Sequence, residues 1–118
     1  MRRASTPPPE DEAQVDRAFA ALADPTRRAI LRRLRFGQTN VGDIASRFAI
    51  SQPAISRHLR VLEEAGLIET ERDGPQRLRR LSPRGLVLAQ RFIRDLASHW
   101  PDRLDALADF LDQTKDPE

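Results

Sequence analysis

The sequence of 118 residues lacks cysteine and has only two histidines and one tryptophan. The absence of cysteine excludes disulfides, thiolate metal sites and thiol-based redox sensing. No apolar run is long enough to span a bilayer, and the charged, proline-rich start has no signal-peptide core. We therefore expect a cytoplasmic protein with no membrane partner. No Ser-His-Asp set, phosphate-binding loop or paired carboxylates in a plausible cleft appear, so we expect neither an enzyme nor a bound cofactor.

The formal net charge of +2 conceals a strong asymmetry along the chain. Residues 25–36 contain five arginines and no acid, and residues 72–84 contain five arginines against one acid. Residues 95–118 reverse the balance, with seven acids against two basic residues. A basic middle segment favours a polyanionic partner. The arginines of residues 25–36 leave two interpretations open: a solvated helix face, or a face of which one or two members touch phosphate.

Apolar residues at helical spacing, preceded by capping residues, predict four helices in the first half of the chain. These helices are expected at 15–23, 25–35, 41–48 and 52–65. Asp24, Asn40 and Ser51 are the expected N-caps, and Asp43 is placed to complete a capping box with Asn40. Gly66 is the expected left-handed stop.

The link between the third and fourth helices is too short for anything but a tight turn, which predicts a helix-turn-helix over residues 40–66. One face of its second helix is apolar and consists of Ile55, Leu59 and Leu62. His58 lies at the edge of this face, and we interpret it as a core-edge histidine rather than a metal ligand. The opposite face is polar, and Gln and Arg there suit purine edges in a major groove. The predicted DNA-binding residues of this helix are Gln52, Pro53, Ser56, Arg57 and Arg60.

Residues 67–82 predict a β-hairpin directly after the helix-turn-helix. Strand-like alternation covers 67–72 and 77–81, and the loop is expected to be longer than two residues because Pro75 and Gln76 follow the Asp-Gly turn signal. Arg77 and Arg79 are expected to point outward and bind DNA, while Arg80 serves either the phosphate backbone or a carboxylate. The predicted fold is mainly α with a small β-hairpin wing, a winged helix-turn-helix.

The last third of the chain carries a long apolar stripe on two helices, predicted at 83–98 and 101–113 and separated by Pro101. Ser82 is the expected cap of the first. One small chain cannot cover this stripe, which predicts a homodimer formed through the terminal helices. The expected domain spans 14–113, with C-terminal helices over 83–113 and disordered tails at 1–13 and 114–118. The predicted dimer residues are Val15, Phe19, Leu22, Ile93, Leu96, Trp100, Leu104, Leu107 and Leu111.

The chain resembles the ArsR/SmtB family of bacterial winged-helix repressors. The resemblance is carried by Leu-Ala-Asp-Pro-Thr-Arg-Arg at 22–28, Ser-Gln-Pro-Ala-Ile-Ser-Arg-His-Leu at 51–59 and Leu-Glu-Glu-Ala-Gly-Leu-Ile at 62–68. It implies a homodimer, held by its first and last helices, that represses transcription from a palindromic promoter site. Such a protein would be associated with the nucleoid, and the resemblance leaves its effector unidentified.

The sequence departs from the family at both of its metal sites. The sensor segment at 43–47 has no cysteine, and near the family's other site only Asp95 and His99 occur, at the wrong spacing. The chain therefore looks like a subgroup without metal ligands, and we expect no metal response. The rival interpretation is a winged helix that binds an acidic protein partner. The polar face of the predicted recognition helix favours DNA, because a protein interface would favour exposed aromatics there.

Overall fold

A computed structural model describes the backbone of residues 10–98 and 101–115 and the side chains of residues 12–98 and 105–113. The described chain folds into six helices and one antiparallel hairpin. Their bounds are α1 Glu10–Leu22, α2 Pro25–Leu34, α3 Val41–Phe48, α4 Gln52–Glu64, β1 Ile68–Asp73, β2 Gln76–Leu81, α5 Pro83–Ala97 and α6 Pro101–Lys115. The mainly helical fold with a two-stranded hairpin agrees with the predicted class.

Side-chain caps start the helices where the sequence predicts them. The carboxylate of Asp24 accepts from the amide of Arg27 at 3.0 Å, and the Asn40 side chain accepts from Asp43 at 2.8 Å. The hydroxyls of Ser51 and Ser82 accept in the same way at the starts of α4 and α5. Proline follows three of these caps in the first turn, where its missing amide is no loss.

The turn between α3 and α4 is tight, as predicted, and α4 ends in a defined stop. Ala49 adopts the left-handed conformation, with φ 53°, in that turn. At the end of α4, Gly66 has φ 75°. Its amide donates to the carbonyl of Glu63, and the amide of Leu67 donates to Leu62. This pair of bonds is a Schellman motif, which turns the chain directly into β1.

The hairpin has a two-residue turn, so the predicted longer loop is wrong. Asp73 pairs with Gln76, leaving Gly74 and Pro75 as the turn. Gly74 has φ 63°, and the ring of Pro75 fixes a negative φ. Positive followed by negative φ is the sign pattern of a type II′ turn, which suits the twist of a hairpin. Proline therefore fits the second turn position instead of lengthening the loop.

The core lies between α2, α3, α4 and the start of the hairpin. Its largest fully buried side chains are Ile30, Ile44, Ile55, Leu59, Leu62 and Leu67. The apolar face predicted for α4 is thus buried against its neighbours. This packing fixes which face of α4 remains on the surface.

The terminal helices extend beyond the predicted limits. α1 begins at Glu10, four residues before the predicted domain start, and α6 continues to Lys115, past the predicted end at residue 113. The break between α5 and α6 falls at Pro101, as predicted. Phe19 of α1 meets Phe92 of α5 edge to face, with ring centroids 5.8 Å apart. No helix in the described part of the chain is long and apolar enough to cross a membrane.

The contact between α5 and the end of α4 predicts a strict requirement for Gly85. Its amide donates to the carbonyl of Gly66 at 2.8 Å, and a Cβ there would overlap the carbonyl oxygen of Ala65. We expect Gly85→Ala to lower the free energy of unfolding by about 3 kcal/mol, the upper end of the usual overpacking range. Urea unfolding measures the change.

Gly42→Ala is the matched control, because a Cβ at Gly42 meets its neighbours at ordinary van der Waals distance. Alanine also favours helix over glycine, so this variant should be unchanged or slightly more stable. Equal stabilities of the two variants would contradict the close approach at Gly85.

Candidate nucleic-acid interface

The outer face of α4 presents the polar side chains that the sequence predicts. Gln52, Pro53, Arg57 and Arg60 are exposed, and Ser56 is half-buried. The opposite face is buried in the core. The helix therefore offers one amide, one hydroxyl and two guanidinium groups on a single side.

The wing and α4 enclose a polar cleft. A cavity of about 210 Å³ is lined by Ser56, Arg60, Glu63, Arg77 and Arg79. Ser56, Arg77 and Arg79 also line a neighbouring cavity of about 360 Å³, together with the start of α3 and the hairpin turn. The two cavities form one continuous concave surface, called here the basic face. It joins Ser56 and Arg60 of α4 to Arg77 and Arg79 of the wing, whereas Gln52, Pro53 and Arg57 line neither cavity.

Arg79 differs from its prediction, because its side chain is half-buried in this cleft rather than directed into open solvent. Burial lowers the pKa of its guanidinium from the usual value, and Glu63 nearby acts in the opposite direction. Its Nε is buried without a hydrogen-bond partner in the described structure. Arg77, two residues earlier on the same side of β2, is exposed as predicted. The basic face thus has one exposed guanidinium group, that of Arg77, and one that is half-buried in the cleft, that of Arg79.

Of the two roles predicted for Arg80, the structure shows the one in which it pairs with a carboxylate. Its guanidinium lies 2.7 Å from Glu71 and 3.3 Å from Glu69, both on β1. Exposed ion pairs of this kind contribute little to stability. On that side of the hairpin the two glutamates outweigh the charge of Arg80, so the positive charge of the wing lies on the side of Arg77 and Arg79.

The wing is attached to the start of α3 by main-chain hydrogen bonds. Thr39 donates its amide to the carbonyl of Arg79 at 3.0 Å and accepts the Arg79 amide at 2.7 Å. The Thr39 hydroxyl donates to Asp43 at 2.9 Å, and Asp43 also pairs with Arg33 and Arg47 at 3.2 Å each. The carboxylate therefore serves this cluster instead of the predicted capping box. The sequence contains no periodic signal for such a contact.

The arginines at the start of α2 are structural, which answers part of the question left open above. Arg27 donates to the carbonyls of Ala20 and Ala21 at 3.1 and 2.8 Å, and Arg28 donates to Leu22 at 2.8 Å. They donate to carbonyls in the last turn of α1, and the carbonyl of Ala20 also accepts from the amide of Ala23. The signal available in the sequence is their position, four and five residues after the predicted end of the first helix.

His58 is a core-edge residue, as predicted, and not part of a ligand cluster. Its Nδ1 lies 3.3 Å from the Arg27 guanidinium and 3.9 Å from the Asp24 carboxylate. The amide of Arg27, above all, lowers the pKa of Asp24 from the usual value. Among the described residues, no group of three or more His, Cys, Asp and Glu side chains could hold a metal ion. His99 lies outside the described residues.

The predicted dimer residues fall into three groups in one protomer. Leu22 packs against its own core, and Val15 is half-buried. Trp100 and the side chain of Leu104 lie outside the described residues. The others carry exposed apolar surface, and they are Phe19, Ile93, Leu96, Leu107 and Leu111.

A helix-turn-helix followed by a hairpin, with a basic face shared by both, defines a winged-helix DNA-binding protein. Sequence comparison supplies the family. Residues 24–70 match the bacterial regulatory protein family arsR. The HTH-type transcriptional regulator Rv2034 of Mycobacterium tuberculosis is 41% identical over 101 residues, which cover 86% of this chain and 92% of that protein. The chain therefore belongs to the ArsR family and is a transcriptional regulator.

Two further comparisons agree with this assignment. The transcriptional repressor SdpR of Bacillus subtilis is 47% identical over 60 residues, covering 51% of this chain and 67% of that protein. The homodimeric winged helix-turn-helix DNA-binding domain Mb0332 of Mycobacterium bovis superimposes with a TM-score of 0.59 at 26% identity. That match covers 77% of this chain and 90% of the domain. The protein-interaction alternative finds no support among these relatives, and neither does an enzymatic function.

The Asp43 cluster predicts a specific pH dependence of stability. Hydrogen bonding from Thr39, above all, lowers the pKa of Asp43 in the folded protein. A lowered pKa stabilises the fold above the ordinary carboxyl pKa, and this contribution is lost as the pH falls through the folded-state pKa. Asp43→Asn should therefore be less stable than the native protein at about pH 7, and the difference should shrink toward about pH 3. Urea unfolding at both pH values measures it.

Asp109→Asn serves as the control, because Asp109 is exposed on α6. It should match the native protein at both pH values. A difference for Asp43→Asn that stays constant with pH would show that the charge of Asp43 does not stabilise the cluster.

Proposed function

We propose that this regulator is a dimeric repressor that binds a palindromic operator, with α4 in the major groove and the wing against the adjacent backbone. The observation that carries this proposal is the continuous basic face, on which Ser56 and Arg60 of α4 meet Arg77 and Arg79 of the wing. No aromatic side chain lines the described part of this face. Such a surface suits DNA phosphates and base edges better than the core of a protein–protein interface.

The proposed DNA contacts divide between the outer side of α4 and the wing. Gln52, Pro53, Ser56, Arg57 and Arg60 occupy the start and outer side of α4, where a recognition helix reads base edges. Arg77 and Arg79 lie on the wing and are assigned to phosphates, which position the protein without reading sequence. The half-burial of Arg79 supports this role, because its guanidinium is partly ordered before DNA arrives.

The second copy is proposed to pack on the exposed apolar side of the terminal helices. Ile93 is 53% exposed and Leu96 44% exposed on α5, and Leu107 is 52% exposed on α6. Apolar surface of this extent along adjacent helices favours a protein partner. The homodimeric state of the Mycobacterium bovis domain supports a second copy as that partner.

Repression is proposed to be independent of soft metals. The sequence has no cysteine and two histidines, and His58 is engaged with Arg27. Soft-metal sensors require thiolates or clustered imidazoles at bonding distance. An inducing signal would then be an organic ligand, a partner protein or a change in protein level, acting at the chromosome in the cytoplasm.

Two arginine variants separate base reading from phosphate binding. Arg57→Ala should relax preference at one defined base position, at a cost of about 1–3 kcal/mol for a lost bidentate contact. Arg77→Ala should weaken binding to all sequences alike and reduce the salt slope by about one unit. Selection from a random DNA pool, followed by binding titrations at several salt concentrations, measures both effects. Base preference altered by the wing variant alone would reverse the two assignments.

One substitution on α5 tests the dimer surface. Ile93→Asp should yield a folded monomer, because Ile93 is exposed within a protomer and its loss leaves the core intact. Arg91→Asp is the control, since two residues along a helix place it on a different side of α5. Sedimentation measures the mass, and circular dichroism checks the fold. A dimeric Ile93→Asp protein would place the interface elsewhere.

A further inference from the structure

A groove of about 280 Å³ lies apart from the basic face, where α1, α2, β2 and α5 meet. Its floor is apolar, and its rim is basic. The floor is formed by Leu22, Leu31, Leu81 and Leu86, and the rim by Arg28, Arg32 and Arg35. Among the described residues that line the groove, none is acidic.

The rim is a single stripe on α2. Arg28, Leu31, Arg32 and Arg35 follow one another at the spacing that places residues on one face of a helix. Like charges three and four residues apart repel on a helix. Three arginines lie together beside one exposed and three half-buried leucines, so an anion bound between them would reduce their mutual repulsion.

The rim arginines differ in how far they are already engaged. Arg28 donates one nitrogen to the carbonyl of Leu22, and Arg35 lies over the ring of Phe36 at 5.4 Å. Arg32 is exposed, and its side chain has no hydrogen-bond or ion-pair partner among the described residues. By contrast Arg33, on another side of the helix, is paired with Asp43. The groove thus retains donor capacity that the fold does not use.

We propose that this groove binds a small amphipathic carboxylate, such as a medium-chain fatty acid. The tail would cover the four leucines, and the carboxylate would accept from the guanidinium groups, whose planar fork matches two oxygens. An apolar floor with a basic rim fits an amphiphile better than an inorganic anion, because an inorganic anion has no apolar part to cover the leucines. The volume lies just below the usual range of small-molecule pockets, about 300–1,000 Å³, and therefore suits a small ligand.

The position of the groove adds a structural consequence to binding. Leu81 is the last residue of β2, and Leu86 lies in the first turns of α5. A ligand there would touch α2, the wing strand and the helix proposed to form the dimer at the same time. The basic face described above contributes none of the lining residues, so the proposal is independent of the operator assignment.

The test is a titration of the full-length, isotope-labelled protein with decanoate, followed by amide chemical shifts. We expect saturable shifts centred on Leu31, Leu81 and Leu86. Decanol, with the same tail and no charge, and butyrate, with the charge and a short tail, should each bind about tenfold more weakly or worse. The double variant Arg32→Gln/Arg35→Gln should lose about tenfold in decanoate affinity.

The control is Arg91→Gln/Arg94→Gln, which removes two exposed arginines of α5 outside the groove and should bind decanoate like the native protein. Several results would overturn the proposal: no saturable shift, shifts centred on Phe19 and Phe92, or equal binding by decanol. A dissociated dimer in the groove variant would assign the groove to a second copy. A fall in its DNA affinity with a flatter salt slope would assign these arginines to phosphate.

Discussion

Two hydrogen bonds between the main chains of Thr39 and Arg79 hold the wing against the entry to α3, and the shape of the basic face depends on them. A two-stranded hairpin is only marginally stable by itself in water. Here the Thr39–Arg79 bridge binds β2 on the edge opposite β1. The hydroxyl of Thr39 in turn donates to the carboxylate of Asp43. Because Arg79 takes part through its backbone, its side chain enters the cleft beside α4 at a fixed height. DNA-binding geometry and fold stability therefore share one small cluster.

The arginines of this chain do several different jobs, although composition presents them as one basic population. Arg27 and Arg28 close the end of α1, Arg33 secures Asp43, and Arg80 is matched by two glutamates across the hairpin. Other arginines are grouped on two separate surfaces, the basic face and the α2 groove, and Arg28 belongs both to the end of α1 and to the groove. A count of charge along the sequence overstates the field of the wing, because the glutamates that neutralise Arg80 lie on the other strand.

The parts of the structure that local chemistry controls could be predicted from the sequence. The caps at Asp24, Asn40 and Ser51 and the stop at Gly66 involve neighbours within a few residues, and the apolar face of α4 follows from its period. The contacts that could not be predicted from the sequence join residues that are far apart along the chain: Thr39 with Arg79, and Arg27 with His58. The prediction of a longer hairpin loop is wrong for a different reason: Pro75 has the negative φ that the second position of a two-residue turn needs, so it does not lengthen the loop.

Gln14 of α1 donates to the carbonyl of Glu64, at the end of α4, and Arg27 links the other end of α1 to His58 in the middle of α4. These attachment points are six residues apart on α4, or roughly 9 Å along its axis. Two separated points of support resist tilting of α4 against α1. In a dimer built on α1 and α5, the distance between the two recognition helices would then be fixed by the structure of each protomer. The permitted spacing of operator half-sites would be a mechanical property of the protomer, established before any DNA is bound.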